Sequence, residues 1–419
     1  MASLYLSLLN IRKDPATRSP SEPRGLLFGS PLWGAGHWSF LWLLAWLFWL
    51  GGLFFPVFAA PPADPGLPPE LAIPDLDLSL WDKSFDLRTG MGYQNNVLLS
   101  DANRHGSAFW DTGGEITLLR VPLDGTEVHF TLTGDDYRYW RDIGVTHQDL
   151  WLLSAEVRRE FAADWKAGLL AQYTYLNQVV DLFDFENHLQ QPPALITGHG
   201  FTLRPSLQKL FGNGWTLAWE FDGVRQFLSS PADSFTRFGP RAVLGFHPGK
   251  RTEINLGYSY QPSFFEHQSE VDGDGYPLAN TSLVILRQQV VLGGKYDWDS
   301  GRHWQTSLNL GFTDAWDGGA GFYNYRDYGV GTQLRYRGQR WELLLGGGLS
   351  YRDFPVQTVS PTDPAKLHQA LGRVNVRLEH KLLQWLKVYA AWEREVSLSD
   401  SPDEVYHADT LSAGLDWMF

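Results

Sequence analysis

From residue 84 onward, apolar and polar positions alternate along one stretch after another, and no stretch carries the spacing of a long amphipathic helix. The C-terminus shows the pattern most plainly. Leu411, Ala413, Leu415, Trp417 and Phe419 fall on one face, and Thr410, Ser412, Gly414, Asp416 and Met418 on the other. Trp215, Leu217, Trp219 and Phe221 alternate with Thr216, Ala218, Glu220 and Asp222. Ile254, Leu256, Tyr258 and Tyr260 alternate with Glu253, Asn255, Gly257 and Ser259. A period of two marks strands with one apolar and one polar face. The pattern predicts sixteen strands, at 84–97, 108–121, 126–140, 148–162, 166–180, 196–210, 215–228, 234–247, 252–265, 282–296, 303–314, 324–337, 341–354, 368–381, 385–398 and 406–419. Each is long enough for the ~9–11 residues that a tilted strand needs to cross hydrocarbon.

The connections carry independent information. Seven are short and turn-like, among them Pro122-Leu123-Asp124-Gly125, Gly212-Asn213-Gly214 and Pro248-Gly249-Lys250. Asn-Gly and Asp-Gly suit tight hairpins because they tolerate positive φ. The other eight, such as 181–195, 266–281 and 355–367, are mostly longer, and the two kinds alternate in strict order. That is the layout of an antiparallel up-and-down transmembrane β-barrel with short periplasmic turns, longer outer loops and both termini in the periplasm. Aromatics near the strand ends, including Tyr137, Tyr139, Trp140, Trp151, Trp165, Trp215, Trp298, Trp304, Trp341, Trp385 and Trp417, suit girdles at the two membrane interfaces. A soluble sandwich would need two unusually wide sheets. A propeller would repeat at about 40 residues with its own signature.

Composition narrows the classes further. The 419 residues include no Cys, which excludes disulfides, thiolate metal sites and Cys nucleophiles. Aromatic content of 15% argues against disorder. A formal net charge of −13 argues against a general nucleic-acid binder. Mean hydropathy of −0.25 argues against a bundle of membrane helices. The single long apolar run, Trp38 to Ala60, follows the basic residues Arg12, Lys13, Arg18 and Arg24 and ends in small residues. It reads as a signal peptide with a long basic region, spanning 1–60 and cleaved after Ala59 or Ala60; an uncleaved anchor is the plainer alternative. Residues 61–83 read as a Pro-rich periplasmic tether and 84–419 as the barrel. The expected location is the cell outer membrane, reached through the periplasm.

The terminal Leu415-Asp416-Trp417-Met418-Phe419 resembles the C-terminal signal of bacterial outer-membrane proteins, which the barrel-assembly machinery reads. Gly92-Tyr93-Gln94-Asn95-Asn96-Val97-Leu98-Leu99-Ser100-Asp101 resembles the opening strand of the β-barrel porin-type family of Gram-negative outer-membrane proteins. Some members of that family are encoded beside exopolysaccharide export systems. The resemblance covers about ten residues and brings no catalytic residues with it. It implies outer-membrane lipid and the assembly machinery as partners and admits a homo-oligomer, because sixteen-stranded general porins are commonly homotrimers.

Positions opposite the apolar stripes are candidate lumen residues. They are Glu127, His129, Glu156, Arg158, Arg204, Glu220, Asp222, Arg237, Arg241, Glu253, Lys295, Arg335, Arg337, Glu342, Arg373, Arg377, Glu379, Lys387 and Glu393. A Lys or Arg facing lipid at mid-membrane would cost ~2–4 kcal/mol, so a watery lumen is the favourable place for them. Arg335 with Arg337, and Arg373 with Arg377, share strand faces. They could guide anionic solutes, or pair with Glu342 and Glu379. The acidic, aromatic segment from Asp181 to His188 could fold inward as a constriction, where Asp181, Asp184 and Glu186 would narrow the pore, or form a surface lid.

Other chemistry is thin. Glu270-Val271-Asp272-Gly273-Asp274-Gly275 resembles the start of a calcium loop, but the twelfth position is Thr281 rather than a bidentate Glu. The His residues show no metal-ligand spacing, and no cofactor is expected. Ser269 and His267 are the candidate hydrolytic pair, without a nucleophile elbow. The sequence reads first as a porin-like channel for passive diffusion of small hydrophilic solutes. A structural or exopolysaccharide-export barrel comes second, and an outer-membrane hydrolase third.

Overall fold

The structure is a computed structural model. It describes residues 81–419 apart from Asn103, Val121, Leu123, Asp124, Asp142, 181–192, Asp274 and 361–362, with the side chains of Ser360 and Asp403 also left aside. The signal peptide and nearly all of the tether therefore lie outside the described residues. In chain order the strands are β1 (Trp81–Gln94), β2 (Ser107–Arg120), β3 (Thr126–Tyr139), β4 (His147–Ala162), β5 (Trp165–Val180), β6 (Ala194–Leu210), β7 (Trp215–Leu228) and β8 (Phe235–Phe246). They continue as β9 (Thr252–Phe265), β10 (Val284–Asp297), β11 (Trp304–Asp317), β12 (Tyr325–Arg337), β13 (Trp341–Ser360), β14 (Asp363–Leu383), β15 (Leu386–Ser399) and β16 (Tyr406–Met418). Each pairs antiparallel with its sequence neighbours, and β16 returns to β1, so the sheet closes into a barrel with no free edge.

Closure follows from the C-terminal alternation. Leu87 faces Trp417, Thr89 faces Leu415 and Gly90 faces Gly414 across the β1–β16 seam. The Phe85 N–H donates to the Phe419 carbonyl at 3.0 Å, and the Phe419 N–H donates back to the Phe85 carbonyl at 2.8 Å. The seam is therefore hydrogen-bonded to the last residue. At one short turn, Asn213 and Gly214 hold φ of 66° and 81°, which Asn and Gly tolerate better than other residues.

The outer face is apolar. Leu87, Tyr93, Trp151, Leu203, Phe221, Leu256, Leu310, Val374 and Leu411 are all exposed. In water so large an apolar surface would drive aggregation; lipid solvates it. Trp140, Trp215, Trp298, Trp304, Trp341 and Trp385 are exposed at the strand ends, where membrane interfaces fall. Tyr137 and Tyr139 depart from the expected girdle. They share the inward face of β3 with Asp135, and the Tyr139 hydroxyl donates to Gln94 Oε1 at 2.7 Å.

Two of the boundary differences from the sequence reading change the layout. β1 begins at Trp81, so Trp81–Lys83 belong to the barrel rather than to the tether. Residues 355–360 and 363–367 are no open loop: β13 and β14 run on as a two-stranded ribbon, with pairing as far as Ser360 and Asp363. Pro355, Pro361 and Pro364 suggest a break because proline lacks the N–H of a regular ladder. The ladder accommodates Pro355 through register shifts between Asp353 and Thr358 and between Thr358 and Ser360.

Candidate functional site

The strand register puts one residue in two inside the barrel, and below the loop end these positions are mostly polar or glycine. All nineteen candidate lumen positions, from Glu127 on β3 to Glu393 on β15, share the inward parity. The register places Glu127 opposite Arg158, His129 opposite Glu156, Glu220 opposite Arg241 and Glu253 opposite Lys295. Cross-strand pairing of opposite charges lowers the cost of crowding them into one lumen.

The basic ladders are paired. Arg335 Nη2 lies 2.5 Å and Arg337 Nε 3.3 Å from Glu342 Oε1. Arg377 Nε lies 2.6 Å from Glu379 Oε1, and Lys387 Nζ 2.9 Å from Glu379 Oε2. Arg373 Nη2 reaches Glu393 at 2.8 Å and Glu395 at 2.9 Å. Around the barrel, Arg204 pairs with Asp222, Arg241 with Glu220 at 3.2 Å, and Arg158 with Glu156 at 2.8 Å. Arg237 donates from Nε to Ser263 Oγ at 2.7 Å, and His129 Nε2 lies 3.1 Å from Thr131 Oγ1. A wall of paired charges presents many donors and acceptors with little local net charge.

One buried cluster was missed by the candidate set. Arg88 on β1 binds Asp111 on β2 through Nε at 3.2 Å and also pairs with Asp135 on β3. The Tyr389 hydroxyl donates to Asp111 at 2.9 Å, and Arg377 stacks over the Tyr389 ring at 4.2 Å. Gly90 makes room for this: a Cβ there would strike the Tyr389 hydroxyl. Arg88 and Asp111 alternate with the exposed Leu87 and Trp110, so the same period of two could have found them. A cavity of about 180 Å³ lies in this part of the lumen, bordered by Arg88, Asp135, Arg335, Glu342, Arg377 and Glu393. Two glycines face inward on β11 and β12, on the loop side of Arg335. A Cβ added at inward-facing Gly311 or Gly329 would meet no atom within 4 Å. Open space therefore lies beside Gly311 and Gly329.

The loop end differs. There the inward positions turn apolar: Leu150, Leu176, Ile196, Phe235, Phe265, Ile285, Ala315, Tyr325, Phe354 and Leu367 form one cluster. None of them is more than 5% exposed, although a residue facing a wide open mouth would be wet. The connections supply the cover. Ala232, Val271, Leu283 and Tyr323 join that cluster, and Val97 and Leu99 pack with Tyr406 and Ala408 in a second one. Asn95 and Asn96 of the porin-like opening motif turn the chain inward. The Asn95 N–H donates to the Asp409 carbonyl at 3.0 Å, and the Asn96 amide donates to the His407 carbonyl at 3.0 Å.

The remaining candidates separate. Asp181, Asp184 and Glu186 lie outside the described residues. In the calcium-like stretch, Thr281 Oγ1 accepts the Glu270 N–H at 3.0 Å, and Val271 is buried in the mouth cluster. Among the described residues, no group of three or more His, Cys, Asp or Glu is placed to hold a metal ion. His267 Nδ1 lies 2.9 Å from Asp233, yet no hydrogen bond joins Ser269 to His267 among the described residues.

No protein-family model matches the chain, and none of the curated proteins does. Among solved structures it is similar to OprB of Pseudomonas putida at high pH, with 12% identity over 81% of this chain and 94% of that one, at a TM-score of 0.45. It is also similar to OccAB4 of Acinetobacter baumannii, with 8% identity over 81% and 98%, at 0.44. The anion-selective porin of Comamonas acidovorans follows, with 9% identity over 81% and 99%, at 0.40. These superpositions are loose. The chain's own closure, register, apolar belt and polar interior make it a closed sixteen-strand antiparallel barrel of the transmembrane kind.

Proposed function

We propose that this protein is an outer-membrane channel through which small hydrophilic solutes diffuse passively, without catalysis and without a cofactor. Residues 1–60 direct its export, and 61–80 tether it on the periplasmic side. One observation carries the reading: beneath the mouth, the inward face of a closed sixteen-strand barrel is lined by paired charges and by two glycines with open space before them. Barrels of sixteen strands are wide enough to hold water. The covered mouth supports a second reading, an export-associated barrel that opens when a periplasmic partner engages it.

Liposome swelling tests the first reading. Vesicles carrying the refolded barrel should swell in neutral polyols and sugars, faster for smaller solutes. Folded barrel that leaves swelling at the protein-free rate for every solute, with parent chain and mouth-opening variants alike, removes the diffusion channel and leaves the export reading.

A further inference from the structure

We propose that the loop end of the barrel is an apolar gate, with residues 266–273 with 275–283, and 318–324, as its movable leaves and the Asp233 and Asp317 carboxylates as the latches that hold them shut. This rests on the channel reading and adds a closed state to it.

Each leaf is tied down through a carboxylate at the end of a strand. Asp317, the last residue of β11, accepts the backbone N–H groups of Gly319, Gly321 and Tyr323 at 3.0, 2.8 and 2.9 Å. Asp233, just before β8, accepts those of His267 and Gln268, both at 2.9 Å. Both carboxylates are largely buried. Removing one strands several backbone donors at once, which is costly where water is excluded. The leaves bring their own apolar residues to the seal: Val271 and Leu283 from one, Tyr323 from the other.

Beneath the leaves lies the open space along Gly311 and Gly329. An apolar constriction above a polar, roomy lumen is the arrangement that stops flow by expelling water. The leaves belong to connections rather than to the sixteen-strand ladder. They can therefore move at a small fraction of the cost of opening the barrel.

The absence of cysteine gives a clean test. Gly311→Cys places a single thiol on the inward face of β11, where an added Cβ has room. The full barrel is reconstituted in vesicles in one orientation and labelled with a membrane-impermeant maleimide. In the Gly311→Cys protein, labelling from the loop side should be at least tenfold slower than from the turn side. Adding Asp317→Ala or Asp233→Ala should raise the loop-side rate at least tenfold and leave the turn-side rate unchanged. If either alanine variant fails to fold, Leu283→Ser keeps both latches and wets the seal, and it should raise the loop-side rate too. Equal rates from the two sides in Gly311→Cys overturn the gate, and so does slow loop-side labelling that no folded variant accelerates. Labelling needs no current, so a barrel that labels as expected yet conducts nothing overturns the channel reading alone.

Discussion

Arg88→Met should be among the most damaging single substitutions in the barrel wall. The Arg88 side chain is 11% exposed, and its partners Asp111 and Asp135 are 4% and 3% exposed. The guanidinium is shared between two carboxylates on two different strands, β2 and β3, while Tyr389 supplies Asp111 with one further donor. Methionine preserves much of the side-chain volume and removes the charge, leaving two acids in one polar pocket. Breaking a buried pair by removing one partner costs roughly 3–5 kcal/mol. The adjoining cavity allows some hydration, so the lower end of about 3 kcal/mol is expected. Urea unfolding of the refolded barrel in detergent reads this as a lower midpoint at unchanged slope. Arg88→Met combined with Asp135→Asn should recover a large part of the loss, because only one acid then remains. If Arg88→Met unfolds within about 0.5 kcal/mol of the parent, the span expected of an ordinary surface change, the buried-pair reasoning is wrong.

Three further outcomes follow from the geometry. Gly311→Trp should cut single-channel conductance at least by half with folded yield unchanged, because it fills lumen rather than core; unchanged conductance would move the open path elsewhere. Deleting Phe419 removes both backbone bonds that end the β1–β16 seam, at about 1 kcal/mol each, and one aromatic contact with Phe85. Assembly yield should fall, and a barrel that assembles at the parent's yield would contradict a role for this seam. Tyr323 has its phenol pushed up from 10.0 to about 12, by burial first and by the neighbouring Asp317 carboxylate second. A raised folded-state value means that the stabilisation is complete below pH 10 and is lost as pH rises through about 12. The mouth should therefore loosen between pH 10 and 12, with tyrosinate absorbance and efflux of a trapped neutral sugar from vesicles rising together, and Tyr323→Phe should show the same efflux across that range.

The strands were legible because each one has a lipid face and a lumen face. A period of two is then imposed residue by residue, and Thr252–Phe265 falls at the bounds that alternation predicts. The β13–β14 ribbon was hidden by its prolines, which suggest a break where the register shifts around Pro355. The mouth was hidden for a different reason. Leu99, Val271 and Tyr323 carry no periodic signal, and they are buried only because the closed ladder brings distant residues such as Tyr406 and Phe354 to the same end. The pairing of Arg335, Arg337 and Glu342 could be listed as one alternative from sequence. Which alternative holds depends on cross-strand register, which one slipped residue would have inverted.

Single-channel recording of residues 61–419 in a planar bilayer tests the central claim most directly. The account predicts stable stepwise currents with weak ion selectivity, because the lumen charges are paired, and a larger open fraction in Asp317→Ala. Folded parent and folded Asp317→Ala that both stay silent would contradict a polar conduit under a latched mouth.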